Sequence, residues 1–448
     1  MIADLVLTNA KAYYRKDIVD CSIAVENGEI FKIGKETQMP SADEKINLKN
    51  LLVLPGFIDA HVHLRDEGKA YKEDFTSGTA AAAAGGVTTI LDMPNNDPVT
   101  MSAEALRNRM QLAEKRILVN VGFYSEFPEN PTEIKGITAH GAVAFKLFMA
   151  NQVGGLNLDN DEAMQEAFKN VADTDVPVAV HAEDKTSVNL KMQELKRAKQ
   201  DGPKAFLEAH SEQAELKAIK RVLRLTADTE TRVHFCHVTV KEGLDRIAEA
   251  KQAGRKVTCE VTPNHLMLSN ADFQRGGSLL AMMPPLRNGS QVEALWNGIA
   301  NGQVDLLASD HAPHTLEEKS AASIWDAKVG VPGLETTLPL MLTQVVKQKL
   351  TLDRLVQLFS ETPAEIFKLK DRGKLEKGAK ADLVAVDLKR KFKIDASKFH
   401  SKAKFSPYDG WDVQGKPVKT FVGGVLVMDE QEIVAKPGSG ETVRSERA

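Results

Sequence analysis

The 448-residue chain has few cysteines, few aromatic residues and no strong excess of charge of either sign. Three cysteines (Cys21, Cys236 and Cys259) are too few for a disulfide framework, and none belongs to a Cys-x-x-Cys pair, which favours a reducing cytoplasm. Aromatic residues make up 6% and the formal net charge is −4, which excludes the basic surface of a nucleic-acid partner. No apolar run approaches the roughly 18 residues of a membrane span. The first residues show no basic leader before an apolar run, so we expect no signal peptide and no membrane partner.

The middle of the chain alternates short apolar, β-branched runs with longer amphipathic stretches, which is typical of successive β-α units. Eight runs read as strands: GFIDAHVH, VTTILDM, ILVNVGFY, AVAFKLFM, VPVAVHAE, TRVHFCHV, KVTCEVTP and VDLLASDH. Helix-end signals lie between them, such as Ser102 before AEALRNRM and a Gly-Gly pair after the alanine run. The pattern predicts an α/β protein with a TIM-like (β/α)₈ barrel over residues 55–369, with an open doubly wound sheet as the alternative.

Both ends of the chain are instead rich in β-type runs. LVLTNAKAYY and SIAVENGEIFKIG lie near the start, with a hairpin signal at Asn27-Gly28, and ADLVAVDL and VKTFVGGVLVMD lie near the end. We expect residues 1–54 and 370–448 to meet as one small composite β-sandwich domain. The polar tail from Pro437 is predicted to be loose.

Polar residues interrupt the apolar strands at or near their carboxyl ends, where barrels build their active sites. His61 and His63 are two residues apart on one strand, so both point to the same side. The others lie on four further strands: Lys146, His181, His237 and Asp310. Any one histidine alone is more often a core residue, but buried lysine and aspartate are rare without partners. Four imidazoles with a carboxylate favour Zn²⁺ or a similar divalent metal at the barrel mouth.

Lys146 is unusual in such a set, because an ammonium group would repel metal cations. A desolvated neutral amine can react with CO₂, and the resulting carbamate has two oxygens that can bridge two cations. We expect this modification; an ordinary pair between Lys146 and a carboxylate is the alternative.

His234 has the opposite strand parity to His237 and is interpreted as structural, and His140, His210 and His400 receive no role.

The segments that carry these residues resemble the dihydroorotases of the cyclic amidohydrolase group. The resemblance extends from about residue 51 to 388, and its most specific motif is DHAPH-x₄-K. The matching segments are DAHVHLR (59–65), LDMPNNDP (91–98), AFKLFMA (144–150), VHAED (180–184), FCHV (235–238), ASDHAPHTLEEK (308–319), VGVPGLET (329–336) and GKLEKGAKADLVAVD. AFKLFMA is equally similar to hydantoinases and dihydropyrimidinases.

The resemblance implies two metal ions, one bound by each of two groups and both bridged by a carboxylated lysine. The first group is His61, His63 and Asp310, the second is His181 and His237, and the bridging residue is Lys146.

The resemblance also implies that Arg65, Asn95 and His314 hold a free carboxylate of the substrate, with Gly330 as a further contact. Arginine has an independent reason for this role, because its planar fork matches a carboxylate. An ordinary salt bridge at the rim is the alternative for Arg65.

The implied activity is the reversible cyclisation of N-carbamoyl-L-aspartate to (S)-dihydroorotate, a step of de novo pyrimidine biosynthesis. A hydroxide bridging the metals would attack the ring carbonyl, and Asp310 would carry its proton to the departing nitrogen. Two alternatives remain: a hydantoinase, dihydropyrimidinase or allantoinase acting on another cyclic ureide, and a non-catalytic scaffold relative, which should have lost metal ligands. The expected partner is a small-molecule substrate, and the helical segment EAHSEQAELKAIKRVLRL could support a homodimer.

Three positions depart from the family pattern: Glu67 replaces a proline, Asn264 a histidine and Met283 an asparagine. The change at Met283 matters most, because the family's asparagine there lies near the ring of the substrate. The polar segment 314–333 after the eighth strand could cover the site, with a plain surface loop as the alternative.

Overall fold

The computed structural model describes residues 2–446, and its strands form two sheets. In chain order the strands are β1 (Ile2–Tyr14), β2 (Asp17–Glu26), β3 (Glu29–Gly34), β4 (Ser41–Asn47), β5 (Leu52–Pro55), β6 (Phe57–Val62), β7 (Val87–Asp92), β8 (Asn120–Glu126), β9 (Ala144–Phe148), β10 (Val178–His181), β11 (Val233–Phe235), β12 (Val257–Val261), β13 (Leu306–Leu307), β14 (Leu383–Lys393), β15 (Asp412–Val422), β16 (Val425–Asp429), β17 (Glu432–Ile433) and β18 (Thr442–Val443).

Most helices lie between the strands of the middle region. They are α1 (Phe75–Ala84), α2 (Ala103–Glu114), α3 (Ile134–Ala139), α4 (Asp161–Ala172), α5 (Lys185–Arg197), α6 (Pro203–Ala209), α7 (Glu212–Leu225), α8 (Lys241–Gln252), α9 (Pro263–Met267), α10 (Asn270–Gly276), α11 (Gly289–Ala300), α12 (Leu316–Lys319), α13 (Leu334–Val346), α14 (Leu352–Val356) and α15 (Thr362–Ile366). Within residues 2–446, none of these helices has the length and apolar character needed to cross a membrane.

Strands β6 to β13 form a parallel sheet in which each strand pairs with the next along the chain. The two ends of this sheet meet where Val62 bridges His311 in parallel and the His63 N–H donates to the His311 carbonyl at 2.8 Å. Strands β6 to β8 are buried along their whole length, as expected when helices cover the outside of a parallel sheet. The predicted (β/α)₈ barrel is confirmed.

Helix α1 shows how the alanine run packs against this barrel. Asp74 caps its start by accepting a backbone N–H, and Gly85 ends it. A Cβ at Gly85 would lie 2.1 Å from the Leu334 carbonyl oxygen, so glycine is required for this close approach. Ser102 caps α2 as the sequence predicts.

The second sheet is built from both ends of the chain, in the order β17-β16-β15-β14-β5-β1-β2-β3, with β4 beside β1. The two ends meet where β14 pairs antiparallel with β5, and this confirms the predicted union of the terminal segments. The boundaries 1–54, 55–369 and 370–448 stay a prediction. The tail differs from its expected loose state, because β18 pairs in parallel with β8 of the barrel.

Two barrel strands are shorter than their apolar runs. TRVHFCHV contributes only β11 and VDLLASDH only β13, so His237 and Asp310 lie just beyond the ends of these strands. Their φ angles are +34° and +48°, a region that non-glycine residues adopt sparingly. The carboxylate of Asp59 fixes the backbone just before Asp310, because it accepts the Ser309 N–H at 3.1 Å. Apolar patterning cannot reveal this turn, since the pattern continues beyond the last pair of the ladder.

Candidate metal centre and substrate cavity

A cavity of about 220 Å³ lies at the carboxyl ends of the barrel strands. Nine of the ten residues selected from the sequence line it: His61, His63, Arg65, Asn95, His181, His237, Asp310, His314 and Gly330. The tenth, Lys146, is fully buried with its Nζ 3.3 Å from Nε2 of His61. The structure therefore brings together side chains that are up to 269 positions apart in the sequence.

His61 and His63 face Asp310 through the same ring atom. Their Nε2 atoms lie 3.5 and 3.4 Å from Oδ1 of Asp310. The opposite ring nitrogens are held by oxygen acceptors, with His61 Nδ1 at 2.5 Å from Glu260 Oε1 and His63 Nδ1 at 2.8 Å from Asn95 Oδ1. Each Nδ1 therefore carries the proton, which leaves the lone pair of each Nε2 directed toward Asp310. This arrangement fits one divalent cation.

His181 and His237 face each other in a second group. Nδ1 of His181 lies 3.0 Å from Nε2 of His237, and Nε2 of His181 is held at 2.8 Å by Glu183. Nδ1 of His237 is buried and has no hydrogen-bond partner among residues 2–446. With protons on His181 Nε2 and His237 Nδ1, the two facing nitrogens both present lone pairs, which fits a second cation.

The charge state of these imidazoles suits metal binding. Burial lowers the pKa of His61 to about 4, assisted by the Lys146 ammonium. Burial also holds the pKa of His63 and of His237 well below the ordinary value, with the Arg65 cation adding to the effect at His63. Neutral imidazole is the form that binds metal, so the three rings are ready as ligands at neutral pH.

Apart from His61, a thiol and an aromatic ring lie next to Nζ of Lys146. Its Nζ lies 3.1 Å from Sγ of Cys236 and 4.8 Å from the centre of the Phe148 ring. Within the described part of the chain no carboxylate lies close enough to form an ion pair with Lys146. The alternative of a lysine paired with a carboxylate is therefore not what the structure shows.

Glu260 connects one of the predicted ligands to a second buried histidine. Its Oε1 binds Nδ1 of His61, and its Oε2 lies 3.0 Å from Nε2 of His234. Burial raises the pKa of Glu260, but His61 and His234 outweigh burial and hold that pKa below its ordinary value. Glu260 is therefore a carboxylate that orients His61, and His234 assists it.

Glu183 orients His181 in the second group of predicted ligands, as Glu260 orients His61 in the first. It binds Nε2 of His181 and, at 2.9 Å, Nδ1 of His210. Burial opposes ionisation here too, but His210 and His181 keep the pKa of Glu183 below its ordinary value. Neither glutamate is among the site residues predicted from the sequence, and His210 has no predicted role. A signal was present, because Glu260 interrupts the apolar strand β12 and Glu183 lies two residues after His181.

Replacing Glu260 with glutamine is expected to weaken metal binding by about 10- to 100-fold, because the amide cannot fix the His61 ring as a carboxylate does. Metal content after dialysis against graded chelator concentrations measures the effect. Glu293→Gln, at an exposed position of α11, is the matched control. Equal metal retention by the two variants would contradict the orienting role of Glu260.

Arg65 supplies a cation to the cavity, and one of its N–H donors has no partner. Its side chain is buried and its Nε has no hydrogen-bond partner among residues 2–446. Burial lowers the pKa of Arg65 to about 10, so the guanidinium is still charged at neutral pH. Asn95 lines the same cavity, and since its Oδ1 accepts from His63, its Nδ2 group is left as a donor. Together they present N–H donors for an anionic group.

His314 lines the cavity, but both of its ring nitrogens have protein partners. Lys72 Nζ donates to Nδ1 at 3.1 Å, and Nε2 lies 3.0 Å from the Val329 carbonyl. Burial and the nearby Arg65 cation lower the pKa of His314 to about 2, so the ring is neutral. His314 therefore lies in the cavity wall as an uncharged ring.

Gly330 is required by its backbone conformation. Its φ is +129°, and a Cβ there would lie 2.5 Å from the Ala312 carbonyl oxygen. Its N–H donates to the Ala281 carbonyl at 2.9 Å, so this N–H is already used inside the protein. Gly330 forms part of the wall by its small size.

The three departures from the family pattern lie in different places. Met283 lines the cavity. Asn264 is turned away, with its Oδ1 accepting from the Tyr408 hydroxyl at 2.8 Å. Glu67 lines a separate shallow depression beside α2. An effect on ring recognition is therefore expected of Met283 rather than of the other two.

A (β/α)₈ barrel with imidazoles, a lysine and an aspartate converging at its mouth defines the class of metal-dependent hydrolases. The family model described as the Amidohydrolase family matches residues 52–427, and the chain belongs to this family.

Similar proteins include both dihydroorotases and hydantoinases. A dihydroorotase of Methanosarcina acetivorans is 37% identical, with 98% of this chain and 95% of the relative covered. An L-hydantoinase of Paenarthrobacter aurescens is 34% identical, with 98% of each chain covered. Among solved structures, an L-hydantoinase (dihydropyrimidinase) from Arthrobacter aurescens superimposes with a TM-score of 0.95 at 33% identity, covering 99% of this chain and 100% of that one. The resemblance drawn from the motifs is confirmed, and the protein is a metal-dependent cyclic amidohydrolase.

Proposed function

We propose that the protein is a dihydroorotase, which interconverts N-carbamoyl-L-aspartate and (S)-dihydroorotate. The observation that carries this proposal is the buried Arg65, whose unpartnered Nε shares one cavity with Asp310. A buried guanidinium with an unpartnered Nε, whose Nη2 has only a 3.4 Å contact with Nε2 of His314, is costly unless a ligand supplies an anion. Dihydroorotate carries such a carboxylate beside its reactive ring amide, and curated dihydroorotases at 34–37% identity match nearly the whole chain.

The residues of the cavity divide the reaction between binding and proton transfer. Arg65 and Asn95 hold the carboxylate that does not react, and His314 and Gly330 shape the wall beside it. Oδ1 of Asp310 faces the two histidine nitrogens, so its Oδ2 is free to take the proton of the attacking water and pass it to the ring nitrogen. In the cyclisation direction, Asp310 takes a proton from the carbamoyl nitrogen and returns it to the departing hydroxyl.

Two divalent cations, with Zn²⁺ favoured by the donor set, would be held by the residues that face each other in pairs. His61, His63 and Asp310 would hold one, and His181 and His237 the other. When bound, such ions supply Lewis-acid polarisation of the ring carbonyl and lower the pKa of the attacking water.

Lys146 would bridge the two cations as a carbamate, formed when its amine adds CO₂ and releases a proton. Its full burial, its position 3.3 Å from His61 Nε2 and the absence of a carboxylate partner among residues 2–446 support this assignment.

A hydantoinase is the second candidate function, because an L-hydantoinase matches 98% of the chain. Such an enzyme acts on a cyclic ureide and has no need of a buried arginine for the same carboxylate. The scaffold alternative is disfavoured, because a protein without catalysis would have no reason to keep six ligand-type residues at one place.

Hydrolysis of dihydroorotate and cyclisation of N-carbamoyl-L-aspartate are expected for the purified protein, and a chelator should abolish both. Readdition of Zn²⁺ should restore the activity. Hydantoin and dihydrouracil assayed in parallel distinguish the candidates, since a higher kcat/KM for either would favour the second function. A protein that binds no metal and turns over none of these substrates would be a scaffold.

We place the enzyme in the cytoplasm, which is supported by the free thiols of Cys21, Cys236 and Cys259. The homodimer suggested by the sequence stays a prediction. Helix α7 does not favour it, because Leu216 and Ile219 of its apolar face are buried within the chain.

A further inference from the structure

Lys319 ends the DHAPH-x₄-K motif and has no part in the function proposed above. It is the last residue of α12, and its side chain is 0% exposed. Its Nζ lies 2.8 Å from the Ala281 carbonyl oxygen and 3.0 Å from the carbonyl oxygens of both Lys328 and Gly330.

This environment is unusual for a lysine. Burying an ammonium group away from water is unfavourable, and carbonyl dipoles compensate less than a carboxylate would. Burial lowers the pKa of Lys319 to about 7. The three carbonyls nevertheless match the three N–H donors of an ammonium group. An apolar side chain of similar length would fill the same space without this desolvation, so the hydrogen bonds themselves must serve a purpose.

The three carbonyls belong to two segments that both form the wall of the substrate cavity. One segment contains Ala281 and leads to Met283, and the other runs from Lys328 to Gly330. The segments also contact each other directly, because the Gly330 N–H donates to the same Ala281 oxygen that Lys319 binds. Lys319 thus ties together two stretches of backbone that have no regular secondary structure of their own.

We propose that Lys319 is a positioning residue, whose buried Nζ holds segment 281–283 to segment 328–330 by hydrogen bonds and so fixes the cavity wall that faces the substrate. The identity of that substrate rests on the proposed function, but this clamp does not. Lys319 bonds to none of the predicted metal ligands. Its loss should therefore loosen substrate binding and leave the metal centre intact.

The variant Lys319→Met retains an unbranched side chain that is one atom shorter and removes all three donors. Its KM for N-carbamoyl-L-aspartate should rise by about 10-fold or more, while kcat falls by less than about 3-fold, since positioning is lost but the reacting groups remain. Metal content should equal that of the wild type. Lys319→Gln, which keeps two N–H donors without the charge, should recover part of the lost affinity.

Hydrogen exchange measured by mass spectrometry tests the clamp without any substrate. The peptide that contains Gly330 should exchange faster in Lys319→Met, whereas peptides of β6 and β10 should exchange as in the wild type. Lys347→Met, at an exposed position after α13, is the matched control and should change neither exchange nor KM.

Three outcomes would overturn the proposal: unchanged exchange at the Gly330 peptide, faster exchange across the whole barrel, or loss of the folded protein in both Lys319 variants. The last two would assign Lys319 to general stability. If the wild type fails to turn over N-carbamoyl-L-aspartate, the proposed function is wrong. Hydrogen exchange in the wild type and in Lys319→Met still tests whether Lys319 holds the two segments together.

Discussion

Turnover by the Asp310→Asn variant is expected to fall by about 10³-fold or more, with the metal still bound. The amide has nearly the shape of the carboxylate and can still offer an oxygen toward His61 and His63. It cannot, however, take a proton from the attacking water or deliver one to the ring nitrogen. The loss should therefore appear in kcat in both directions of the reaction.

Steady-state rates with dihydroorotate and metal content by atomic emission measure this effect together. Asp326→Asn, in an exposed part of the segment after α12, is the matched control and should behave as the wild type. Activity of Asp310→Asn close to the wild-type level would remove Asp310 from proton transfer. Loss of metal along with activity would show that its main role is to bind the cation.

The Arg65→Ala variant is expected to bind acidic substrates much more weakly. A charge-assisted hydrogen bond contributes about 1.5–3 kcal/mol, which corresponds to roughly a 10- to 100-fold rise in KM for N-carbamoyl-L-aspartate. Hydantoin, which lacks the carboxylate, should be affected little. The reason is that Arg65 lines the cavity with an unpartnered Nε and forms no hydrogen bond with a predicted metal ligand.

The ratio of kcat/KM for the acidic and the uncharged substrate is the informative measurement. Arg65→Lys should lie between the wild type and Arg65→Ala, because lysine keeps the charge but loses the planar fork. Arg107→Ala, an exposed arginine on α2, controls for a change in net charge. An equal loss for both substrates would place the carboxylate contact elsewhere.

Much of the architecture follows from local pattern. Apolar runs of strand length, separated by helices with caps such as Ser102, predict the number and order of barrel strands because each unit folds by its own periodicity. The spacing of His61 and His63 likewise predicts that both side chains point inward, and polar residues at strand ends predict a site at the barrel mouth. The two terminal segments could be assigned to one sheet from their shared β character alone.

Other features depend on contacts that no local pattern contains. His237 and Asp310 leave the strand beside hydrogen bonds to other parts of the fold, from the His237 N–H to Glu260 and from the Ser309 N–H to Asp59. The apolar runs that continue past β11 and β13 do not show these bonds. His314 has the residue type of a charged carboxylate ligand, but burial, assisted by the Arg65 and Lys72 cations, lowers its pKa and keeps it neutral.

The chain's own sequence determined which residues point into the barrel and where along it they lie, because strand alternation and strand order are properties of neighbouring residues. Only the tertiary structure decided which atoms of those residues are used in hydrogen bonds inside the protein and which are left to bind a ligand. His61 and Glu260 are 199 positions apart, yet their hydrogen bond selects the ring nitrogen that faces Asp310. Lys319 likewise binds the carbonyl oxygens of Ala281 and Gly330, and no local sequence pattern relates these residues to it. A buried polar group acquires its role from the partners that folding brings to it, and those partners lie far away in the chain.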